Sequence, residues 1–239
     1  MAGFARRDLI ILGGVSAAMI GWQQYRQRPS ELNFIALRDA PGWSFASTGQ
    51  SSGLSGSDFM TIGLKPSPAP LPIARLSHVV HHAAMGQGVP VAVFSDFFCP
   101  FCRKLIARLM TRTWPRPLAI SWHELPLLGP NSVLVAQVAQ AAALQQAYPA
   151  FYAQLLQDGF RPSMNWLVNV AEKAGLNGQL LREDTNSAEV ARRLSQSHTA
   201  ATQLGIHATP GMAIGQRVVL GAMDARTLEI LISTTPQSR

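Results

Sequence analysis

The sequence predicts an α/β domain that carries an inserted all-helical subdomain. A short apolar, β-branched run at 91–95 (VAVFS) indicates a buried strand, and the segment 103–112 (RKLIARLMTR) that follows has the spacing of an amphipathic helix. A long alanine- and glutamine-rich helical block begins near Ser132, and two short strands return only within 212–220. Because strand patterns lie both before and after the helical block, we expect these strands to form one sheet, with the helices inserted between them in the sequence.

The N-terminus is the first element in chain order, and it predicts an export signal or signal anchor over 1–28. Arg6 and Arg7 precede an apolar run at 9–20, which is the charge and hydropathy order of such a segment. A buried helix fits poorly because the run is apolar on all faces. The arginine pair also resembles a twin-arginine export signal, although the match is partial because Ala5 precedes it. Cleavage and membrane anchoring both stay open.

Residues 29–72 are expected to form an N-terminal extension and a proline-rich linker. The part from 31 to 57 is rich in Gly, Ser and Ala, which predicts little regular structure, and 65–72 contains four prolines in eight residues. Between them, 58–64 (DFMTIGL) has the pattern of a short edge strand. The extension could add a strand to the sheet or cover a groove, and both roles stay open.

The remaining elements form one predicted domain over 73–236. Its first helical pattern stops at Gly86, and its helical insertion lies at about 131–200, where apolar periodicity continues across a break near Gly175. In chain order the predicted elements are a helix at 73–85, strands at 91–95 and 118–123, helical segments at 132–157, 165–174 and 187–204, strands at 212–214 and 217–220, and a helix at 224–232.

Composition and charge predict a folded protein without pointing to nucleic acid. Hydrophobic residues make up 47% of the chain and charged residues only 14%, which suits a packed core rather than a disordered chain. The net charge is +7, but the twenty Lys and Arg residues are spread along the sequence with no basic tail. Because no basic segment is interleaved with aromatic residues either, we expect no nucleic-acid partner.

The two cysteines are the most informative residues, because they are the only ones and lie three positions apart. Cys99 and Cys102 leave no further pair for a structural disulfide framework. They also lack a second CxxC or HxxxH to complete a zinc site. His78, His81 and His82 could supply nitrogen ligands, but histidines at this spacing more often lie on a solvated helix face. We therefore expect neither a metal nor another cofactor.

The spacing of the two cysteines favours a redox-active pair. A CxxC in the first turn of a helix places the first thiol near free backbone N–H groups and the positive end of the helix dipole, which stabilise a thiolate. Cys99 is then the nucleophile, and Cys102, one turn further on, resolves the mixed disulfide. Pro100 suits the start of a helix, and Phe101 contributes no charge. The alternatives are two core thiols or an inert disulfide, and such a disulfide would close a small loop that stabilises little.

Three motifs, in this order, resemble a known family. They are the segment 93–105 (VFSDFFCPFCRKL), the turn 124–132 (ELPLLGPNS) and the segment 205–211 (GIHATPG) with the strands after it. The chain from 91 to 232 is similar in these motifs to the DsbA-like branch of the thioredoxin superfamily. The resemblance implies a thioredoxin fold with a helical insertion and thiol-disulfide oxidoreductase activity.

The resemblance also implies roles for individual residues. Pro210 is expected to be cis and to lie against the cysteine pair, with Thr209 presenting its backbone to a substrate peptide. Asp96 and Glu124 are candidate proton-handling carboxylates by analogy with buried acids of the superfamily, although a strand-end cap and a satisfied core residue are the alternatives. Phe101 departs from the histidine typical of strongly oxidising members, which leaves the redox direction open.

The leading hypothesis is an exported dithiol oxidase, periplasmic or otherwise extracytoplasmic. It would donate its disulfide to exported proteins that contain cysteines, and a membrane redox partner would reoxidise it. A disulfide reductase or isomerase of the same fold is the first alternative. The alternative from another class is a membrane-tethered peptide-binding or assembly protein without turnover. A glutathione-dependent transferase is disfavoured, because those enzymes typically use Ser rather than a CxxC pair.

Overall fold

The computed structural model describes residues 31–53, 69–83, 88–158 and 163–237. The predicted export signal at 1–28 and the predicted edge strand at 58–64 therefore lie outside the described residues. Within the described ranges, none of the helices has both the length and the apolar character that a membrane crossing requires.

A mixed β-sheet of six strands forms the centre of the described part of the chain, in the order β1-β2-β8-β7-β4-β5. Strand β4 lies inside this sheet, parallel to β5 and antiparallel to β7. Its apolar, β-branched sequence fits this position because both faces of the strand are covered. The strands are β1 (Ile35–Ala36), β2 (Ser44–Ser47), β3 (Ser52–Gly53), β4 (Val89–Ser95), β5 (Leu118–Glu124), β6 (Ala208–Thr209), β7 (Gly211–Ile214) and β8 (Arg217–Leu220).

The helices confirm the predicted insertion between β5 and β6. Strands β4 and β5, with the helix between them, form a parallel β-α-β unit, and the insertion follows this unit. The antiparallel hairpin of β7 and β8 and a final helix complete the thioredoxin fold that the resemblance implied. The helices are α1 (Ile73–Val80), α2 (Pro100–Thr111), α3 (Pro130–Leu144), α4 (Tyr148–Gln157), α5 (Met164–Lys173), α6 (Gly178–Thr185), α7 (Ala188–Gln203) and α8 (Ala225–Thr234).

Helix α1 is shorter than the predicted helix at 73–85. It ends at Val80, and the backbone N–H of His81 makes its last hydrogen bond, to the carbonyl of Ser77. The His81 side chain is held elsewhere, since its Nε2 lies 2.8 Å from the carbonyl oxygen of Gly215 and its ring stacks on Trp43. These tertiary contacts outweigh the apolar periodicity that predicted a longer helix.

The N-terminal extension contributes strands to the fold, although its composition predicted little regular structure. Strand β2 pairs in parallel with β8 over four residues, and β1 pairs with β2. The segment also fills part of the core, because Ala40, Trp43 and Ala46 are buried. Strand β3 lies apart from this sheet and pairs antiparallel with β6. The extension thus adds strands, one of the two roles that its sequence left open.

The backbone of the extension at Thr48 approaches the end of β8 closely, and this approach requires a residue without a side chain at Gly221. Gly221 has φ +100, and a Cβ atom added there would lie 1.8 Å from the carbonyl oxygen of Thr48. We expect Gly221→Ala to lower the free energy of unfolding by about 2–4 kcal/mol, through backbone strain and this overlap. Urea unfolding followed by circular dichroism measures the loss.

Gly129→Ala is the matched control for that prediction. Gly129 has a similar φ of +107, but an added Cβ meets no atom within 4 Å. Its substitution therefore carries the backbone strain alone, about 1–2 kcal/mol. Equal losses in the two variants would show that the approach of Thr48 to Gly221 contributes nothing to stability.

Candidate active site

Cys99 lies at the junction of β4 and α2, where the chain passes from the sheet into a helix. It is the N-cap residue of α2, with extended backbone angles, and Pro100 is the first helical residue. The backbone N–H of Cys102 donates a hydrogen bond to Cys99 Sγ, with 3.3 Å between nitrogen and sulfur. The sulfur thus takes the place of a capping oxygen at the positive end of the helix dipole.

The surroundings of Cys99 favour its thiolate. Both cysteines are free thiols, and the hydrogen bond from the Cys102 thiol is the main cause that lowers the pKa of Cys99 to about 5. The side chain of Ser52 and the backbone N–H of Cys102 lower it further, while burial acts in the opposite direction. Most Cys99 side chains are therefore ionised at pH 7.

Cys102 has the opposite electrostatic character. It is fully buried, and burial raises its pKa far above the ordinary range of a thiol. The hydrogen bond that it donates to Cys99 raises the pKa further, because the donated proton stabilises the neighbouring thiolate. The pair therefore consists of one ionised sulfur at the helix N-terminus and one protonated sulfur inside the first turn.

The loop before β7 meets the cysteine pair from the other side. The peptide bond between Thr209 and Pro210 is cis, and the thiol of Cys99 lies 3.3 Å from the carbonyl oxygen of Thr209. Strand β7, which starts directly after Pro210, pairs with β4 just before the cysteines. The structure thus brings the pair Cys99 and Cys102 together with Thr209 and Pro210, and more than a hundred residues separate the two pairs in the sequence.

Asp96 forms a buried hydrogen-bonding centre below the active-site loop. Its Oδ1 accepts from the backbone N–H of Phe98 (2.8 Å) and from Ser132 Oγ (2.9 Å). Its Oδ2 accepts from the backbone N–H groups of Leu127 (2.8 Å) and Leu128 (3.1 Å). These contacts fit the capping alternative, because they join the loop before Cys99 to the start of the helical insertion.

Glu124 is buried at the end of β5, beside the tyrosines of α4. Tyr148 donates its hydroxyl proton to Glu124 Oε1, and burial raises the pKa of Glu124 to about 8. Tyr152 Oη is also buried, and no described residue offers it a hydrogen-bond partner. Glu124 is therefore largely protonated at pH 7, which suits a group that exchanges protons.

Sequence reasoning missed three residues of this region. Ser52 contacts Cys99 from the N-terminal extension, and no pattern in that Gly- and Ser-rich segment marks it. Tyr148 and Tyr152 come from the helical insertion and lie one helical turn apart. Their spacing places them on one face of α4, but the sequence does not show which buried acid this face meets.

The histidines considered as metal ligands lie away from the cysteines. His78 is exposed on α1, and His81 is bound to Gly215 at the far end of the β7–β8 hairpin. Among the residues that the structure describes, no cluster of three or more His, Cys, Asp or Glu side chains has the arrangement of a metal site.

Comparisons with known proteins agree with this geometry. The family model of the DSBA-like thioredoxin domain matches residues 90–233. A thioredoxin-like oxidoreductase of Silicibacter pomeroyi is 25% identical, with a TM-score of 0.58 over 65% of this chain and 95% of that one. The thiol-disulfide exchange protein alpha-DsbA2 of Wolbachia pipientis is 18% identical, with a TM-score of 0.60 over 67% and 92%, which shows a shared fold.

A curated protein is also similar in sequence. The Na(+)/H(+) antiporter NhaA 3 of Salinispora tropica is 29% identical over 155 residues, which are 60% of this chain and only 22% of the antiporter. The chain thus spans about a fifth of that relative's length. Since the family model matches more than half of the chain and covers both cysteines and the cis-proline loop, the protein belongs to the DsbA-like thioredoxin domain family of thiol-disulfide oxidoreductases.

Proposed function

We propose that the protein is an exported dithiol oxidase that forms disulfide bonds in other exported proteins. The observation that carries the proposal is the contrast between a Cys99 pKa of about 5 and a Cys102 pKa raised above the ordinary thiol range. A stabilised Cys99 thiolate stabilises the reduced enzyme relative to its disulfide. A disulfide whose reduced form is stabilised is a strong oxidant, and a low-pKa thiolate is a good leaving group.

The reaction would begin with the disulfide between Cys99 and Cys102. A substrate thiolate attacks Cys99 Sγ, the S–S bond breaks, and Cys102 leaves with the electron pair and takes up a proton, which its raised pKa favours. A second substrate thiolate then attacks the substrate sulfur of the mixed disulfide and expels the Cys99 thiolate. The substrate has lost two electrons, and the enzyme holds them as a thiol and a thiolate.

Turnover requires an oxidant that removes these two electrons. We propose a membrane protein with a redox-active disulfide or quinone for this step, reached from the outer side of the membrane. The arginine pair before the apolar run at 9–20 supports export. The periplasmic thioredoxin-like protein of Salmonella enterica, which is 21% identical, has the same fold, and disulfides persist in that compartment.

A reductase or isomerase is the second candidate, and Phe101 favours it. Phe101 lies between Pro100 and Cys102 in the first turn of α2, and a phenylalanine ring has neither a charge nor a hydrogen-bonding group with which to stabilise the Cys99 thiolate. The pKa of Cys99 is nevertheless lowered by other donors, which is why the oxidase remains the leading proposal.

The redox equilibrium of the purified full chain with glutathione separates these candidates. An oxidase should give a reduction potential near that of DsbA, about −120 mV, and its reduced form should resist urea better than its oxidised form. A potential near that of thioredoxin, about −270 mV, would contradict the oxidase and support the reductase. If Cys99 and Cys102 did not form their disulfide reversibly, both redox functions would be contradicted, and a peptide-binding protein without turnover would be the function that stands.

A further inference from the structure

The nucleophilic sulfur is enclosed, which poses a problem for its reaction. Cys99 has 0% relative exposure, although its lowered pKa marks it as the reactive thiol. A substrate sulfur must approach Cys99 Sγ directly to exchange with it. Part of the surrounding structure must therefore move before a protein substrate reacts.

Strand β3 is one of the elements in contact with this sulfur. The Ser52 side chain lies close enough to Cys99 to lower the pKa of its thiol. Ser52 pairs with Thr209, and Gly53 pairs with Ala208, in an antiparallel ladder. Thr209 Oγ1 also donates to the backbone carbonyl of Ser52, with 3.3 Å between the oxygens. The extension thus occupies the hydrogen-bonding edge of β6, next to the Thr209 carbonyl that contacts Cys99.

The other two residues in contact with the sulfur lie in the frame of the fold and are harder to move. Cys102 lies in the first turn of α2 and is fully buried, and Thr209 has 0% relative exposure beside the cis-proline. Strand β3 has only two residues, both half-buried, and its ladder with β6 is separate from the six-stranded sheet of the described residues. Two residues without large side chains bury little apolar surface, so their displacement costs little.

The chain just before β3 is anchored, which allows a local movement. The backbone N–H of Ala222 donates to the carbonyl of Gln50 (2.9 Å), and that of Thr48 donates to Leu220 (2.8 Å). Strand β2 continues this anchor along β8. Residues 51–53 can therefore leave β6 while the preceding strand stays in the sheet.

We propose that Ser52–Gly53 is an internal occupant of the β6 edge, and that an extended, cysteine-containing segment of the protein substrate displaces it by adding a strand in the same place. The displacement opens the path to Cys99, and backbone hydrogen bonds to β6 hold the substrate segment during exchange. The contact is autoinhibitory, since the fraction of molecules with β3 detached limits the apparent affinity for substrate. This inference rests on the proposed exchange with protein substrates, in either redox direction.

Gly53→Val tests the proposal by weakening the occupant. A Cβ atom at Gly53 would lie 3.0 Å from Ala208 Cβ, much closer than the roughly 4.5–5.5 Å usual for cross-strand pairs, so a valine should push β3 away from β6. We expect the rate of exchange with an unfolded protein disulfide to rise about tenfold at a pH where Cys99 is fully ionised. Ser51→Val is the matched control, because Ser51 is exposed and precedes the ladder, and its rate should stay unchanged.

An unchanged or lower rate in a folded Gly53→Val protein would overturn the proposal. A second measurement does not depend on that variant. In Cys102→Ser, a peptide whose cysteine is activated as a thiopyridine disulfide can be trapped, because the Cys99 thiolate attacks the peptide sulfur and thiopyridone leaves with the electron pair. Amide hydrogen exchange of this mixed disulfide can then be followed by mass spectrometry. We expect faster exchange at 51–53 and unchanged exchange in β2; persistent protection at 51–53 would show that substrate binds elsewhere. Both readouts are independent of the reduction potential that tests the oxidase.

Discussion

Replacing Cys99 with serine should lower the rate of thiol-disulfide exchange by at least about 1,000-fold, because it removes the group that both attacks and leaves. A serine hydroxyl stays protonated at pH 7, whereas the pKa of the Cys99 thiol is lowered to about 5. Cys102 cannot take over, since it is fully buried and its pKa is raised. Reduction of an insulin-like disulfide substrate and oxidation of a reduced peptide measure both directions of the reaction.

Cys102→Ser is the matched control for this prediction. This variant keeps the attacking sulfur and the N-terminal turn of α2, so it should still react once and accumulate a mixed disulfide with the substrate. Non-reducing electrophoresis distinguishes the trapped adduct from unreacted enzyme. If Cys99→Ser accumulated the adduct and Cys102→Ser did not, the assignment of nucleophile and resolving cysteine would have to be reversed.

The parts of the fold that sequence alone predicted are those with local signals. The buried run in β4, the helical spacing after Cys102 and the short strands β7 and β8 each have a pattern within a few residues. The placement of Cys99 at the junction of strand and helix follows from two such neighbouring patterns. The approach of Pro210 to the cysteines came from the family resemblance, because a Thr-Pro dipeptide alone indicates only a turn.

The parts that sequence could not predict depend on distant partners. Strand β2 forms because the edge of β8, about 170 residues further along the chain, offers it a parallel partner. Ser52 and Gly53 carry no β propensity, and their strand exists only through pairing with β6. The raised pKa of Glu124 likewise depends on burial under the helical insertion, and the hydrogen bond from Tyr148 of that insertion partly offsets this effect. Periodicity reports which face is buried but not which element covers it.

The difference in stability between reduced and oxidised protein should grow with pH from about 5 to about 9, by about 4 kcal/mol in total. The Cys99 pKa is about 5 in the folded reduced protein and near its ordinary value of 9.0 after unfolding. Between these values the unfolded chain binds more protons, so the free energy of unfolding of the reduced form rises with pH, by at most about 1.4 kcal/mol per unit. This added stability of the reduced form is lost again as the pH falls through the folded-state pKa of Cys99, about 5. Urea unfolding of both redox forms at several pH values measures the difference.

Glu124 provides the control that assigns this trend to Cys99. Burial raises the pKa of Glu124 to about 8, so this residue lowers stability as the pH rises from 4.5 to 8, opposite in sign to Cys99. The effect occurs in both redox forms and cancels in their difference, and Glu124→Gln removes it from each. A difference that still grows with pH in Glu124→Gln comes from the cysteine pair, because no proton can bind the sulfurs of the disulfide. A flat difference in both proteins would mean that the folded enzyme does not stabilise the Cys99 thiolate, and the oxidase would lose its thermodynamic basis.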